Sequence, residues 1–588
     1  MMYIHTQHFF DSHDKAKLFY QHWSATSGCT IKKAVVLLHR GHEHSGRMAH
    51  LVDELNLPDC DFFAWDARGH GESAGLRGDS PSFGCSVKDL QSFVLHIQQK
   101  HAIQPENMVM VAQSVGAVLA ATWVHDYAPN IRALCLVAPA FKIKLYVPFA
   151  RAGLRCLHAV KGNFFINSYV KAGLLTHDKA RARSYDTDPA IAKAISVRML
   201  LGLYDAADRV VADAQAIHVP TQLLISGADY VVYTKPQIEF FKNLSHPLKE
   251  LHVLDGFYHD TLGEENRHLA TQKIHRFISQ SFEMLPQPLD LIHADQIGQS
   301  CSMAEKYSEA LPQKSFANVY WSFTQYNLRL GSYISDGLKL GQKTGFDSGS
   351  TLDYVYKNTP ESRHWLGRVI DRQYLNAVGW KGIRVRKTHI EMLLQQVITR
   401  LKAQKQPVNI VDIAAGHGRY IIEAIEKLEY RPDHVLLRDY SPLNVNQGQK
   451  LIQSKALERV VDFEQGDAFD KNSLADIKAN KTVAVVSGLY ELFSDNHLVK
   501  QSLEGLAKVI VSEGYLIYTG QIWHPQQEFI ARALTSHREG NAWVMRLRTQ
   551  AEMDQLVAAA GFVKIDQCID EFGIFTVSLA QRKEVKHG

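Results

Sequence analysis

The chain has 588 residues, 46% hydrophobic and 21% charged, with 65 basic against 61 acidic side chains. These proportions exclude a disordered, collagen-like or disulfide-scaffold chain, and a net charge of +4 is too small to imply a nucleic-acid or membrane partner by charge alone. At roughly 150 residues per domain, with α/β folds running large, two or three domains are expected.

The N-terminal stretch MMYIHTQHFFDSHDKAKLFYQHW is broken by His, Asp and Lys and has no apolar core of an export signal. No run of about 18 apolar residues occurs, so no membrane-spanning helix is expected. Seven scattered cysteines (Cys29, Cys60, Cys85, Cys135, Cys156, Cys301 and Cys568) form no C-x-x-C pair. They read as reduced thiols of a cytoplasmic protein, without a zinc site or other metal.

Short apolar runs then recur: Ala34–His39, Asp61–Asp66, Asn107–Ser114, Ala133–Pro139, Thr221–Gly227 and Leu248–Gly256. Apolar strands separated by helices predict a mostly parallel sheet covered on both faces. Between about 141 and 219 the strand rhythm stops and a helical lid is expected over the C-terminal edge of the sheet, where ligands bind. A first domain is therefore assigned to 1–283 and a proline-containing linker to 284–300. Residues 301–400 are expected to bridge the two sheets, with the Gly/Ser-rich stretch Gly341–Asn358 as loop and the following segment as basic helices covering a pocket. From Pro407 the alternation resumes in VNIVDIAAG, HVLLRDYS, VVDFEQGD, TVAVVSGLY and GYLIYTGQ, a second α/β domain over 401–588.

Ala112-Gln113-Ser114-Val115-Gly116 joins a strand to a small-residue helix. It matches G-x-S-x-G except for Ala at the first position, the smallest departure from Gly. Such a turn presents Ser114 Oγ at the sheet edge. A base and an orienting carboxylate are then needed; His259 and Asp229 each follow a strand on the same edge. His39, His42, His44 and His70 are expected to hydrogen-bond their loops, and Asp66, Arg68 and Ser73 to tie down a turn.

LLHRGHEHSGR, WDARGHGESAG, AQSVG, SGADYVV and FYHDTLGE, in this order, resemble the monoacylglycerol lipase/lysophospholipase branch of the α/β-hydrolases over roughly residues 5–280. The resemblance implies a catalytic Ser114, Asp229 and His259 and an oxyanion hole at Gly41 and Val115. Arg40 stands where Gly is usual; a lost oxyanion donor costs roughly 3–4 kcal/mol, so reduced activity or an unusual substrate is expected.

In the second domain, Asp412-Ile413-Ala414-Ala415-Gly416-His417-Gly418 ends a strand and opens a helix. Two glycines permit close approach of a nucleotide-like ligand to backbone and a helix N-terminus; Ile421, where a third Gly would be wanted, disfavours NAD. Asp439 ends the next strand, suited to both hydroxyls of a ribose, and Asp467 with Ala468 follows the third, suited to an adenine edge. This succession resembles class I S-adenosylmethionine-dependent methyltransferases, a Rossmann-like fold, over roughly 400–580. It implies S-adenosyl-L-methionine near Asp412, Gly416, Gly418, Asp439, Asp467 and Ala468. SGLYE replaces the D/N-P-P-[YF] signature of planar-amine methylation, so DNA is not the expected acceptor. Tyr490, Glu491 and His524 are candidates to face it.

The reading is a bifunctional lipid-type esterase and methyltransferase with a small-molecule or lipid acceptor and no nucleic-acid partner; transient membrane-surface contact stays open. An alternative is an active hydrolase regulated by a non-catalytic S-adenosylmethionine-binding domain. A third makes the hydrolase half a binding scaffold, with Arg40 as its motive.

Overall fold

The computed structural model describes residues 3–26, 31–145, 147, 149–168, 170–285, 289–427, 430–538 and 540–583. Cys29, Pro286 and Pro288 lie outside them. The chain divides into two compact units, 1–289 and 290–588.

The first unit is built on an eight-stranded sheet. Its strands are β1 (Tyr3–Asp11), β2 (Lys17–Ala25), β3 (Lys33–Leu38), β4 (Cys60–Trp65), β5 (Met108–Gln113), β6 (Ala133–Val137), β9 (Thr221–Ser226) and β10 (Lys249–Leu254). The order is β1-β2-β4-β3-β5-β6-β9-β10. All neighbours from β4 onward run parallel, while β1–β2 and β2–β4 are antiparallel. The central strands are buried along their length, apart from Lys33 at the start of β3, as strands covered on both faces must be. Between β6 and β9 the expected insertion holds helices Ala150–Lys161, Lys179–Thr187 and Val197–Ala212. It also holds a short hairpin, β7 (Phe165–Asn167) with β8 (Ala194–Ser196).

The second unit has a seven-stranded sheet of β11 (Asn409–Asp412), β12 (His434–Asp439), β13 (Val461–Gln465), β14 (Lys481–Val486), β15 (Ile510–Gln521), β16 (Phe562–Ile569) and β17 (Phe575–Arg582). Its order is β13-β12-β11-β14-β15-β17-β16. Strands β11–β15 are parallel; β17 inserts antiparallel between β15 and β16. The order reverses direction at β11, between β12 and β14, the kind of switch point where α/β sheets bind ligands.

Helix Val378–Ala403 covers one face of this sheet through Ile390, Leu393, Leu394, Val397, Ile398 and Leu401, a stripe at helical spacing. The loop expected at Gly341–Asn358 is instead helical: Asp336–Thr344 and Gly349–Lys357. The serines are caps, Ser335 accepting from the N–H of Leu338 and Ser348 from that of Thr351. Gly345 supplies the positive φ (92°) between the two helices. Within the stretch expected as linker, the N–H of Leu291 donates to Gln555 Oε1 at 2.9 Å and Asp295 accepts from the N–H of Asn496 at 2.9 Å, tying 290–300 into the second unit.

Candidate functional site

Ser114 follows β5 directly, with φ 55° and ψ −114°, a conformation L-residues hold only under constraint. The constraint is packing at Gly116, where a Cβ would lie 2.4 Å from the His39 carbonyl oxygen and 2.8 Å from that of Leu38. Ala112 is fully buried between Leu38 and Leu136 on the flanking strands, so a methyl is accommodated two residues before the serine. Ser114 Oγ lies 2.7 Å from His259 Nε2, and His259 Nδ1 lies 2.8 Å from Asp229 Oδ2. Asp229 Oδ1 accepts the N–H groups of Val231 (2.7 Å) and Val232 (2.9 Å). Burial pushes the Asp229 carboxyl pKa up, but His259 and these donors outweigh it and hold it below its ordinary value.

Gly41 and Val115 lie together: a Cβ on Gly41 would be 2.9 Å from Val115 Cγ2. Val115 is the first residue of helix Val115–Tyr127, so its N–H has no intrahelical acceptor. Arg40 does not fill the space between them. Its guanidinium is buried against Glu43 (2.9 Å) and Asp260 (3.6 Å) and stacks 4.9 Å over the Tyr185 ring. Asp260 follows His259 directly, also takes Arg181 from the inserted segment at 2.6 Å, and donates its N–H to the Leu175 carbonyl at 2.7 Å. The inserted segment is thereby tied to the loop carrying the imidazole. This cluster was missed in the sequence, although Arg40–Glu43 spacing and an Asp beside the His were visible.

His39 bonds the Arg40 carbonyl (2.7 Å) and accepts from the N–H of Ala67 (3.0 Å). His44 accepts from the N–H of Gly46 (3.2 Å), and His42 and His70 bond the carbonyls of Ala192 and Arg68. Asp66 accepts the N–H groups of Ser45 (2.7 Å) and Glu72 (2.8 Å), Ser73 Oγ donates to the Asp66 carbonyl, and Arg68 pairs with Asp89.

In the second unit the turn after β11 has positive φ at Gly416 (58°) and Gly418 (72°). A Cβ on Gly416 would meet only Gly349 Cα, at 3.5 Å, whereas one on Gly418 would lie 2.5 Å from Leu437 Cδ1. Gly418 is therefore explained by packing and backbone, and Gly416 is the glycine with open space. Asp439 Oδ2 accepts the Gly416 N–H (2.9 Å), while Oδ1 accepts from Ser441 N–H and Asn444 Nδ2, both 2.9 Å. With about four acceptor positions on a carboxylate, one remains, on Oδ2, fewer than two ribose hydroxyls would need. Asp467 Oδ1 accepts the N–H of Phe469 (2.8 Å), and the Ala468 side chain packs into the core beside Leu436 and Ile413.

Asp412 is fully buried, and Tyr420 OH donates to its Oδ2. Burial pushes its carboxyl pKa up to about 7, against the hydrogen bonds from Tyr420 and the Ala414 N–H; nearby Asp439 adds to the rise. In the unfolded chain the group titrates near 3.8, so the folded state holds a proton the unfolded state has lost. Stability of the second unit should fall as pH rises from about 4 to about 7 and then level off. Asp412→Asn should flatten that slope, read as melting temperature between pH 5 and pH 8; an unchanged slope would refute the assignment.

Beyond the C-terminal ends of β14 and β15 lies a cavity of about 360 Å³, with Gly488, Glu491, Gln521, His524, Arg386 and Trp380 among its walls. Tyr490 points elsewhere, its OH donating to Ser502 at 3.1 Å.

Residues 274–582, more than half of the chain, match the family described as "Putative methyltransferase". The chain belongs to that methyltransferase family. Within this methyltransferase-family chain, residues 30–266 match the family described as "Serine aminopeptidase, S33", the α/β-hydrolase fold of the first unit. "Uncharacterized protein YnbC" of Escherichia coli K12 is 53% identical over 578 residues, 98% of each chain. "Monoglyceride lipase" of Rattus norvegicus is 26% identical over 251 residues, 42% of this chain and 80% of that protein. The crystal structure of the Paleococcus ferrophilus monoacylglycerol lipase aligns with 48% of this chain and 100% of its own, at 21% identity and a TM-score of 0.39.

Proposed function

We propose that the first unit hydrolyses a lipid-class acyl ester, as a monoglyceride lipase or lysophospholipase does. The second, in this reading, transfers a methyl group from S-adenosyl-L-methionine to a small-molecule or lipid acceptor. The observation that carries the first part is the unbroken hydrogen-bond line from Ser114 Oγ through His259 to Asp229.

In that line Ser114 Oγ attacks the ester carbonyl carbon while His259 Nε2 takes its proton; His259 then gives the proton to the leaving alkoxide oxygen. Asp229 fixes the imidazole with Nδ1–H toward its carboxylate and offsets the charge the ring gains. The N–H groups of Gly41 and Val115 are assigned to the developing oxyanion. Water, deprotonated by the same imidazole, releases the acid and restores Ser114. Because Arg40 is engaged by Glu43 and Asp260, its departure from the usual Gly leaves this assignment intact.

For the second part, the residues fit a sulfonium nucleoside on three grounds: open space at Gly416, acceptor capacity left on Asp439, and acidic groups at the ends of β11 and β12. When bound, the nucleoside supplies an electrophilic methyl carbon. Asp439 orients the ribose, Asp412 and the Gly416 turn support the adjoining chain, and the protein's share of catalysis is alignment and exclusion of water. The cysteine thiols among the described residues (Cys60, Cys85, Cys135, Cys156, Cys301, Cys568) support a reducing, cytoplasmic setting.

Titration calorimetry with S-adenosyl-L-methionine tests the second part. A saturable heat is expected, with affinity reduced about 10- to 100-fold in Asp439→Ala, the loss of a hydrogen bond to a charged group. Absence of any heat would overturn it. Release of fatty acid from 2-oleoylglycerol tests the first.

A further inference from the structure

We propose that the cavity of the second unit binds an apolar carboxylic acid, its carboxylate at the end formed by Arg386, Gln521 and His524, and that this carboxylate accepts the methyl group. The inference rests on the methyl-transfer reading above and names its substrate class.

Most of the wall is apolar, with Leu338, Tyr374, Trp380, Ile383, Phe529 and Trp543 on it. A wall of this kind with a few convergent polar groups is the usual make-up of a small-molecule site. The polar groups gather where β14 and β15 end. Arg386 approaches Gly488, where a Cβ would lie 3.0 Å from Nη2, and stacks 5.0 Å from the Phe575 ring. Phe575 is the register partner of Gln521, which places Gln521 beside it. Arg386, Gln521, His524, Glu491 and Trp543 are each less than a tenth exposed. Among the described residues, Arg386 Nε, Gln521 Nε2 and Trp543 Nε1 have no hydrogen-bond partner. Buried donors left unpaired cost about 1–3 kcal/mol each, so a cluster of them marks a place for an acceptor-rich ligand.

His524 adds a fourth donor. Its Nδ1 accepts the N–H of Gln526 at 3.0 Å, so in the neutral ring the proton is on Nε2, which faces Gly379 on the cavity wall. With Nδ1 engaged, the ring is a donor and not a base. Of the buried wall atoms without a partner, Glu491 Oε2 is an acceptor and Tyr374 OH can donate or accept; Glu491 Oε1 accepts from Thr519 at 2.9 Å and lies 3.8 Å from Arg386 Nη1. Donors outnumber acceptors among these groups, which favours an anion over a hydroxyl, and Arg386, with Glu491 only as near as 3.8 Å, keeps its Nε free for a carboxylate. A carboxylate is also nucleophilic without losing a proton. Its oxygen lone pair forms the O–CH₃ bond as the sulfonium C–S bond breaks, the bonding pair stays on sulfur as a neutral thioether, and no proton moves. The class of reaction that supplies such an acid is ester hydrolysis, the one proposed for the first unit.

The test uses the full chain carrying Ser114→Ala, so that a methyl ester product is not hydrolysed. Calorimetry without methyl donor compares dodecanoate, dodecanol and dodecylamine. Dodecanoate should bind at least tenfold more tightly than the other two. Arg386→Gln should weaken dodecanoate at least tenfold while leaving dodecanol unchanged; should that variant not fold, Gln521→Leu should weaken dodecanoate severalfold. With S-adenosyl-L-methionine added, mass spectrometry should find methyl dodecanoate. Dodecanol binding as tightly, or being methylated in its place, overturns the proposal in favour of a hydroxyl acceptor. No dodecanoate binding in a chain that binds S-adenosyl-L-methionine overturns it while leaving the methyl-transfer reading standing. Selective dodecanoate binding in a chain that binds no methyl donor overturns that reading and the acceptor role, and leaves the carboxylate site.

Discussion

Ser114→Ala should remove ester hydrolysis by the full chain, lowering kcat about 10⁴- to 10⁶-fold, the range seen when a serine nucleophile acting in a relay is deleted. Alanine accepts the same strand-to-helix turn without adding volume, so melting temperature should hold, which separates lost chemistry from lost fold. Asp229→Asn should cost about 10⁴-fold by a different route. Asparagine would present an N–H₂ or a weaker acceptor to His259 Nδ1, and the ring would lose the tautomer that leaves Nε2 free to take the serine proton. A fluorophosphonate probe should label the native chain at residue 114 and not the alanine variant. Hydrolysis persisting in Ser114→Ala above one per cent of the native rate would remove the hydrogen-bond line from the mechanism, whatever its geometry.

Strands β5 and β9, which lead to Ser114 and Asp229, were legible because each is buried along its length and reads as a largely apolar run, whereas β10, which leads to His259, is a partly exposed edge strand. All six runs of the first half and all five of the second lie on observed strands. Strands β1 and β2 were not anticipated. Strand β1 is an edge whose residues are mostly exposed, so YIHTQHFFD carries no apolar period to read. At three residues each, β7 and β8 are too short for any period.

Gly341–Asn358 misled for a different reason. Its Ser and Gly residues suggest loop by composition, but Ser348 is a helix cap and Gly345 a turn between helices; only their positions distinguish the two readings. Arg386 is, in the sequence, only one of several basic residues on the helices expected to cover a pocket, with nothing to set it apart from a solvated face. The signal that could have found it is phase: Ile383, Arg386, Ile390, Leu393 and Val397 lie on one buried stripe of the helix, and a charge on an apolar stripe needs a partner or a ligand.

Phase could not have found Asp260, which depends on three arginines arriving from distant parts of the first unit. It is 1% exposed and holds Arg181 at 2.6 Å and Arg40 at 3.6 Å; Oδ1 also takes Gln113 Nε2 at 3.2 Å. Asp260→Ala would leave Arg40, Arg47 and Arg181 around Glu43, with Asp188 at 4.0 Å as a further partner of Arg47 alone. Removing one member of a buried ion network costs about 3–5 kcal/mol, which for a unit of this size lowers the melting temperature by roughly 6–20 °C. Burial alone would raise the Asp260 pKa, but Arg181 and Arg40 outweigh it and hold the carboxyl well below the usual range. Its contribution is therefore complete above the unfolded value of 3.8 and is lost as the pH falls further, so wild type and variant should converge in stability under strong acid. Activity should fall as well, because Gln113 Nε2 donates to both Asp260 Oδ1 and the His259 carbonyl at 3.2 Å. Loss of the carboxylate frees the loop that aims the imidazole at Ser114. Asp260→Asn retains the size and part of the hydrogen bonding, and should fall between the two in melting temperature. An alanine variant that melts with the native chain at pH 7 would show that Glu43 and solvent suffice for the three guanidinium groups.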